Sequence, residues 1–243
     1  MTKPGRYHGR ASSRSDPDGG VAADDGDRAG RGLRTGGPGP APGMVGVRSM
    51  VGETWHTSKM FHQPMSDDVL DVLAESQRFG FLGGRPIDEV VDHARGFVDA
   101  LDGVDGTVVD LGAGGGVPGF VIAHDRPDLR LTMVDRRAKR TDFLRRMIRR
   151  LRWSDRVEAV ADDVAAVIVR SPAVFDAAVA RGFGPPDVTL SFASQLVRAG
   201  GRIVISEPPS GDRWSPDLLA DLGVRRVDVV APQVIVFERD GFT

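Results

Sequence analysis

The sequence contains no cysteine. Disulfides, thiolate metal sites and cysteine nucleophiles are therefore excluded. No apolar run approaches the roughly 20 residues that a membrane span requires, and the N-terminal residues lack the continuous apolar core of a secretory signal. A cytoplasmic protein is expected on both counts. No pair of histidines has metal-ligand spacing, so no metal is expected. The Gly-Lys-Ser/Thr of a phosphate-binding P-loop is missing. So is any strong charge imbalance: 32 basic and 34 acidic side chains leave a net charge of −2. Nucleic-acid contact, if any, must come from a local patch. Lysine is scarce, occurring only at Lys3, Lys59 and Lys139.

What is present fits one globular domain with a tail. The 243 residues are 40% hydrophobic and 27% charged, a soluble balance. Residues 1–43 carry almost nothing apolar, and runs such as Asp16-Pro17-Asp18-Gly19-Gly20 and Gly36-Gly37-Pro38-Gly39-Pro40 are turn-rich. Such a stretch cannot bury enough surface to offset chain entropy. Residues 1–65 are expected to be a disordered, low-complexity tail, with the natural start of the protein at Met44, Met50, Met60 or Met65. Residues 66–243 are expected to form the domain, with 66–104 as a short helical extension.

Ser66 is placed to cap a helix whose apolar positions are Val69, Leu70, Val72 and Leu73. Pro86 suits the first turn of a second helix, carrying Ile87, Val90, Val91, Ala94, Phe97, Val98 and Leu101 on one face. From residue 107 strands and helices alternate. Strands are predicted at Thr107–Leu111, Leu129–Val134, Val157–Ala161, Phe175–Ala180 and Arg202–Ser206. The helices between and after them are predicted at Pro118–His124, Ala138–Arg150, Asp163–Val169, Val188–Val197 and Pro216–Leu222. Val224–Val230 and Gln233–Glu238 then form a closing pair. Only Ala231-Pro232 joins them, too little for a parallel crossover, so they must be antiparallel. The pattern predicts an α/β fold: a doubly wound, seven-stranded, Rossmann-like sheet with an antiparallel last strand.

The most informative segment is Val108-Val109-Asp110-Leu111-Gly112-Ala113-Gly114-Gly115-Gly116-Val117-Pro118-Gly119, where a strand ends, glycines turn and a helix begins. In open α/β sheets this is the edge where ligands bind. A dinucleotide fingerprint would need glycine where Val117 stands, so that reading fails. Asp110, directly before the glycines, would repel a pyrophosphate. It suits a cationic ligand such as the amino group of S-adenosylmethionine. Gly112, Ala113, Gly114, Gly116 and Pro118 complete this candidate cofactor turn. Asp135 ends the second strand about 25 residues later, in register to accept ribose hydroxyls, with Arg136 beside it. After the third strand, Asp162 and Asp163, with the backbone at Val164, are candidates for the adenine edge. Helix capping by the aspartates is the competing reading.

These residues resemble a known family. Asp110-Leu111-Gly112-x-Gly114-x-Gly116-x-Pro118-Gly119 is similar to the cofactor motif of the bacterial small-subunit ribosomal RNA guanine-N7 methyltransferases, also called the glucose-inhibited division protein B family. The stretch Arg126-Pro127-Asp128-Leu129, Val134-Asp135, Lys139-Arg140 and Phe143-Leu144 matches in residues and spacing. Ala180-Arg181-Gly182-Phe183 resembles the family's Ser-Arg-Ala-Phe, and Val91-Asp92-His93 its histidine helix. The likeness covers about residues 86–206 and is strongest over 108–144. Two features differ: Ser206-Glu207-Pro208-Pro209 stands where the family has Lys-Gly, and its Asn-Leu-Thr motif is absent. The resemblance implies a class I methyltransferase using S-adenosylmethionine, with ribosomal RNA as partner.

Guanine N7 offers a lone pair and no proton, so its methylation needs alignment rather than a general base. His93 and His124 are base candidates only by elimination, and His124 is expected to end a helix at the surface. Arg181 is a candidate for both cofactor and substrate, where it would meet a phosphate or a guanine edge. Phe183 is a candidate to stack on a base. The segment Arg136–Arg156 holds ten basic residues against Asp142 and Asp155. On a helix, Arg145, Arg149 and Arg152 share a face, flanked by Arg146 and Arg150, a candidate phosphate-binding stripe. Two other functions stay open from the residues alone: methyl transfer to a small molecule or protein, and cofactor binding without transfer.

Overall fold

A computed structural model describes residues 62–207, 213–229, 231 and 233–241. The expectations for residues 1–61, including a start at Met44, Met50 or Met60, and the Pro208-Pro209 pair lie outside the described residues.

The chain runs α1 (Asp67–Arg78), α2 (Ile87–Ala100), β1 (Thr107–Leu111), α3 (Gly119–Asp125), β2 (Arg130–Val134), α4 (Ala138–Arg150), β3 (Val157–Val160), α5 (Val164–Arg170), β4 (Phe175–Ala180), α6 (Pro186–Leu196), β5 (Val197–Ser206), α7 (Pro216–Leu222), β6 (Val224–Val227) and β7 (Val234–Arg239). The seven strands form one sheet in the order β3-β2-β1-β4-β5-β7-β6. β7 lies antiparallel to both β5 and β6, and the other ladders are parallel. This is the seven-stranded α/β sheet with an antiparallel last strand that the sequence pattern predicted.

Burial on both faces explains the near-continuous apolar runs of the central strands. Side chains alternate across the sheet. Val108, Leu131, Met133, Val179 and Val204 pack with α1, α2, α3 and α4. Val109, Leu111, Val134, Ala178, Ile203 and Ile205 pack on the other side with α5, α6 and α7. Removing a fully buried residue such as Phe97 or Phe120 would cost about 3–5 kcal/mol.

The topology locates the site. Strand order runs outward in both directions from the β1/β4 pair, and the carboxyl edge between such strands is where a crevice opens. Leu111 is opposite both Val134 and Ala180, so the residues that follow, Gly112, Asp135 and Arg181, leave the sheet side by side.

Several local expectations are corrected. Ser66 sits at the N-cap position of α1, but its side chain makes no cap hydrogen bond; its N–H donates to His124 Nε2 at 3.3 Å. Pro86 and Pro118 precede their helices rather than opening them. α6 ends at Leu196, because Val197 turns extended and pairs with Phe175 before a bulge. β5 therefore starts five residues before the predicted Arg202. β6 ends at Val227, short of Val230.

Candidate active site

The glycine turn is fixed from three sides. Asp135 Oδ2 accepts the Gly114 N–H (3.0 Å), and its Oδ1 accepts the Arg137 N–H (2.8 Å). The Ala113 N–H donates to Val134 O (2.9 Å), and the Gly116 N–H to Ala113 O (2.7 Å). From α1, the buried Ser76 hydroxyl donates to Gly115 O at 2.8 Å. Glycine is required for two distinct reasons here. Gly112 has φ +68°, and a Cβ there would stand 2.7 Å from a ring carbon of Phe183. Gly115 has an ordinary φ, but a Cβ would meet the Phe81 carbonyl oxygen at 2.8 Å and Ser76 Oγ at 2.6 Å.

Asp110 lies beneath the turn and is 1% exposed. Its Oδ2 accepts the Gly119 N–H at 3.2 Å, while its Oδ1 is buried with no partner. Burial raises its carboxyl to about 7, reinforced by the charge of Asp135; the Gly119 N–H and Arg181 oppose the rise. A buried carboxylate with one unused oxygen is a receptor for a cationic donor. Arg181, beyond β4, makes no hydrogen bond or ion pair among the described residues. Burial pushes its guanidinium down; Asp110 opposes this and Arg85 adds to it.

Beside the turn opens a cleft of about 500 Å³. Its walls include the predicted Gly112, Asp135, Arg136, Asp162, Asp163, Val164 and Phe183. Asp110, Ala113, Gly114, Gly116, Pro118 and Arg181 do not line it; Ala113, Gly114, Gly116 and Pro118 belong to the turn, Asp110 lies in β1 and Arg181 follows β4. Asp163 is the N-cap of α5, accepting the Ala165 N–H at 3.0 Å, so the capping reading holds for it. Asp162 accepts the Asp163 N–H (2.8 Å) and pairs with Arg170 (2.6 Å), and the Arg170 contact holds its carboxyl below the usual range. Val164 opens α5 with its side chain buried. Phe183 lies against Gly112 and edge-on to Phe192, with centroids 6.0 Å apart, which places its ring in the cleft wall.

Sequence reasoning missed four contributors. Arg140 reaches Asp135 at 3.6 Å, and Arg137 and Phe192 line the cleft. Ser76 clasps the turn. Its position was legible, since it continues the i, i+3, i+4, i+7 apolar stripe of Val69, Val72 and Leu73 as the one hydroxyl. Its partner 39 residues away was not.

The basic stripe is narrower than predicted. Arg146 and Arg150 pair with Glu75 (3.0 and 3.2 Å), and Arg150 also reaches Asp71 (3.4 Å). Arg146 also lies over the rings of Phe79 and Phe143. Arg145 donates to Ala159 O and approaches Asp142, and Arg156 lies over Trp153. Arg136, Arg137, Lys139, Arg149 and Arg152 are exposed, with no ion pair among the described residues. His124 lies in the last turn of α3, one residue before its end, but its side chain is only 11% exposed and is bonded to Asp125 at 2.6 Å, so it is not an open surface group. Glu207, in place of the family's Lys-Gly, has its carboxylate bound by Arg213 (3.1 and 3.2 Å) and Trp214 Nε1 (3.0 Å).

Comparison with known proteins identifies the family and the fold. The family described as GidB, rRNA small subunit methyltransferase G, matches residues 76–207, more than half the chain. The chain is 33% identical over 138 residues to the ribosomal RNA small subunit methyltransferase G of Nocardioides sp., covering 50% of this chain and 54% of that protein. Over 88 residues it is 45% identical to the protein of the same name from Rhizorhabdus wittichii, covering 36% and 39%. The chain thus spans about half or less of the curated relatives it matches. Among solved structures, it resembles the 1,6-didemethyltoxoflavin-N1-methyltransferase of Burkholderia thailandensis, bound to S-adenosylhomocysteine. That match has a TM-score of 0.50 and 22% identity, over 74% of this chain and 93% of that one. An O-methyltransferase family protein from the same organism gives a TM-score of 0.51 and 18% identity, over 64% and 59%. At these identities the likeness speaks for the fold, that of the class I methyltransferases.

Proposed function

The chain belongs to the rRNA small subunit methyltransferase G family, and from that premise we propose that it transfers a methyl group from S-adenosylmethionine to a guanine N7 of small-subunit ribosomal RNA. The observation that carries the proposal is Asp110: a buried carboxylate with one unpartnered oxygen at the foot of a glycine turn. The residues fit the cofactor. Asp110 would hold its amino group and Arg181 its carboxylate. Asp135 would accept the ribose hydroxyls through lone pairs not used by Gly114 and Arg137. Val164 and the backbone around Asp162 and Asp163 would flank the adenine, with Phe183 against it.

Bound S-adenosylmethionine supplies an electrophilic methyl group. The chain's part is to hold donor and acceptor in line and to keep water out. A guanine N7 acceptor surrenders no proton, so the protein needs no general base. Arg136, Arg137, Lys139, Arg149 and Arg152, the exposed cations of the basic segment without an ion pair among the described residues, offer phosphate contacts to the RNA. In this reading residues 66–243 are the transferase domain, and 66–104 an extension that seats the turn through Ser76. A ribosomal RNA substrate places the reaction in the cytoplasm. No helix among the described residues is long and apolar enough to cross a membrane, and no His, Cys, Asp or Glu group among them could hold a metal ion.

The test is incubation with radiolabelled S-adenosylmethionine and, separately, small ribosomal subunits, protein extract and a metabolite fraction. Label recovered as 7-methylguanosine after nuclease digestion is the expected result. Label in protein or metabolites, or in no fraction, would overturn the proposal.

A further inference from the structure

The cofactor's amino-acid end carries one cation and one anion, and Asp110 with Arg181 answers both. Two further groups stand near the same edge of the sheet: Ala180, before Arg181, pairs with Ile205, and Ser206 pairs with Val234, directly after the Gln233 that holds His93, while the loop that carries Arg85 lies against Gly115 through Phe81. Arg85, in the loop between α1 and α2, is exposed, with no side-chain partner among the described residues. It acts electrostatically on both Arg181 and His93. Arg181 has the carboxyl of Asp110 near it, whereas Arg85 has no carboxylate partner among the described residues, so Arg85 is the cation left for a second anion. His93, on α2, directs Nδ1 at Gln233 Oε1, 2.5 Å away. That bond puts the ring proton on Nδ1 and leaves Nε2 as an acceptor. Nε2 is buried and has no hydrogen-bond partner among the described residues. Burial, helped by the charges of Arg181 and Arg85 and opposed by the Gln233 bond, pushes the imidazole's pKa down. Gln233 belongs to the turn before β7 and lies 140 residues from His93, so two distant parts of the chain converge to hold this ring. A ligand matching both leftovers must bring a hydrogen-bond donor and an anion together. A nucleotide within a strand does so, with a base N–H and the neighbouring phosphodiester.

We propose that His93 and Arg85 form the acceptor side of the site: His93 Nε2 accepts an N–H of the target base, and Arg85 holds the adjacent phosphate. This rests on the reading as an RNA methyltransferase. The N–H edge of guanine would then meet an acceptor, while the bare N1 of adenine would meet a lone pair and be refused.

The test compares wild type with His93→Ala, His93→Gln, Arg85→Ala and Arg85→Lys. Two quantities are read: S-adenosylhomocysteine affinity by calorimetry, and methyl transfer to small-subunit RNA over a range of salt. All four variants should bind S-adenosylhomocysteine within about twofold of wild type, since the cofactor's charges are met elsewhere. His93→Ala should lose about 10–100-fold in kcat/KM for RNA, and His93→Gln, which restores an acceptor, should recover part of it. Arg85→Ala should flatten the slope of log affinity for RNA against log salt by about 0.7–0.9, with Arg85→Lys close to wild type. Transfer at wild-type rates by His93→Ala, or loss of cofactor affinity in step with loss of transfer, would overturn the assignment. Wild-type protein that labels no RNA would instead overturn the enclosing function.

Discussion

Replacing Asp110 by asparagine should make the protein more stable and less able to bind its cofactor. Asparagine keeps the shape and an oxygen for the Gly119 N–H but removes the buried charge. In the unfolded chain this carboxyl ionises near 3.8, and in the folded protein near 7. The folded state therefore holds the proton more tightly, and wild-type stability falls as pH rises between those values. Below about pH 4 both states are protonated and the penalty is absent; above about pH 7 it is complete. About three pKa steps at 1.36 kcal/mol each put its upper size on the order of 4 kcal/mol. Urea denaturation of both proteins between pH 4.5 and 8 should show a stability gap that opens with pH and favours the variant. Cofactor binding runs the opposite way. The amino group of S-adenosylhomocysteine favours the ionised carboxyl, so binding near neutrality expels a proton. Wild-type affinity should climb by up to about tenfold per pH unit below 7 and then level off, while the variant binds weakly without that dependence. A stability gap that does not change with pH, or equal affinities of the two proteins at pH 8, would refute the reasoning.

Asp135→Ala should weaken S-adenosylhomocysteine binding by about 1–3 kcal/mol, because a buried charged acceptor is lost; an unchanged dissociation constant in calorimetry would remove Asp135 from the site. Gly115→Ala drives a methyl into the Phe81 carbonyl and Ser76 and should cost about 1–3 kcal/mol of stability, seen as a lowered urea midpoint. Arg150→Ala breaks contacts with Glu75 and Asp71 that are partly exposed; it should change stability by less than about 1 kcal/mol and leave the salt dependence of RNA binding as in wild type. Arg149→Ala should flatten that dependence, and equal slopes for the two variants would contradict the division of the stripe into engaged and free cations.

The sheet was readable because its signals are local. β1, β4, α4 and α7 start and end where the short apolar runs and the helical periodicity place them. The chain length between the last two strands fixed their antiparallel sense. β5 was misjudged for a non-local reason: Val197 reads as helical, but pairing with Phe175 across the sheet overrides local preference. In the candidate site, Asp110, Asp135 and the glycines were legible because they cluster at or just beyond the ends of β1 and β2. The stripe on α4 was overcounted because the carboxylates that occupy Arg146 and Arg150 lie on α1, more than 70 residues away. His93 was read only as a base candidate by elimination and as a likeness to the family's histidine helix; its contact was hidden, since its partner Gln233 comes from the far end of the chain.

The account rests most directly on what occupies the space above Asp110. A crystal structure with S-adenosylhomocysteine should show its amino group at Asp110 Oδ1 and its ribose hydroxyls on Asp135. A folded protein that fails to bind the compound in calorimetry, or that binds it away from the β1/β4 edge, would contradict the central claim.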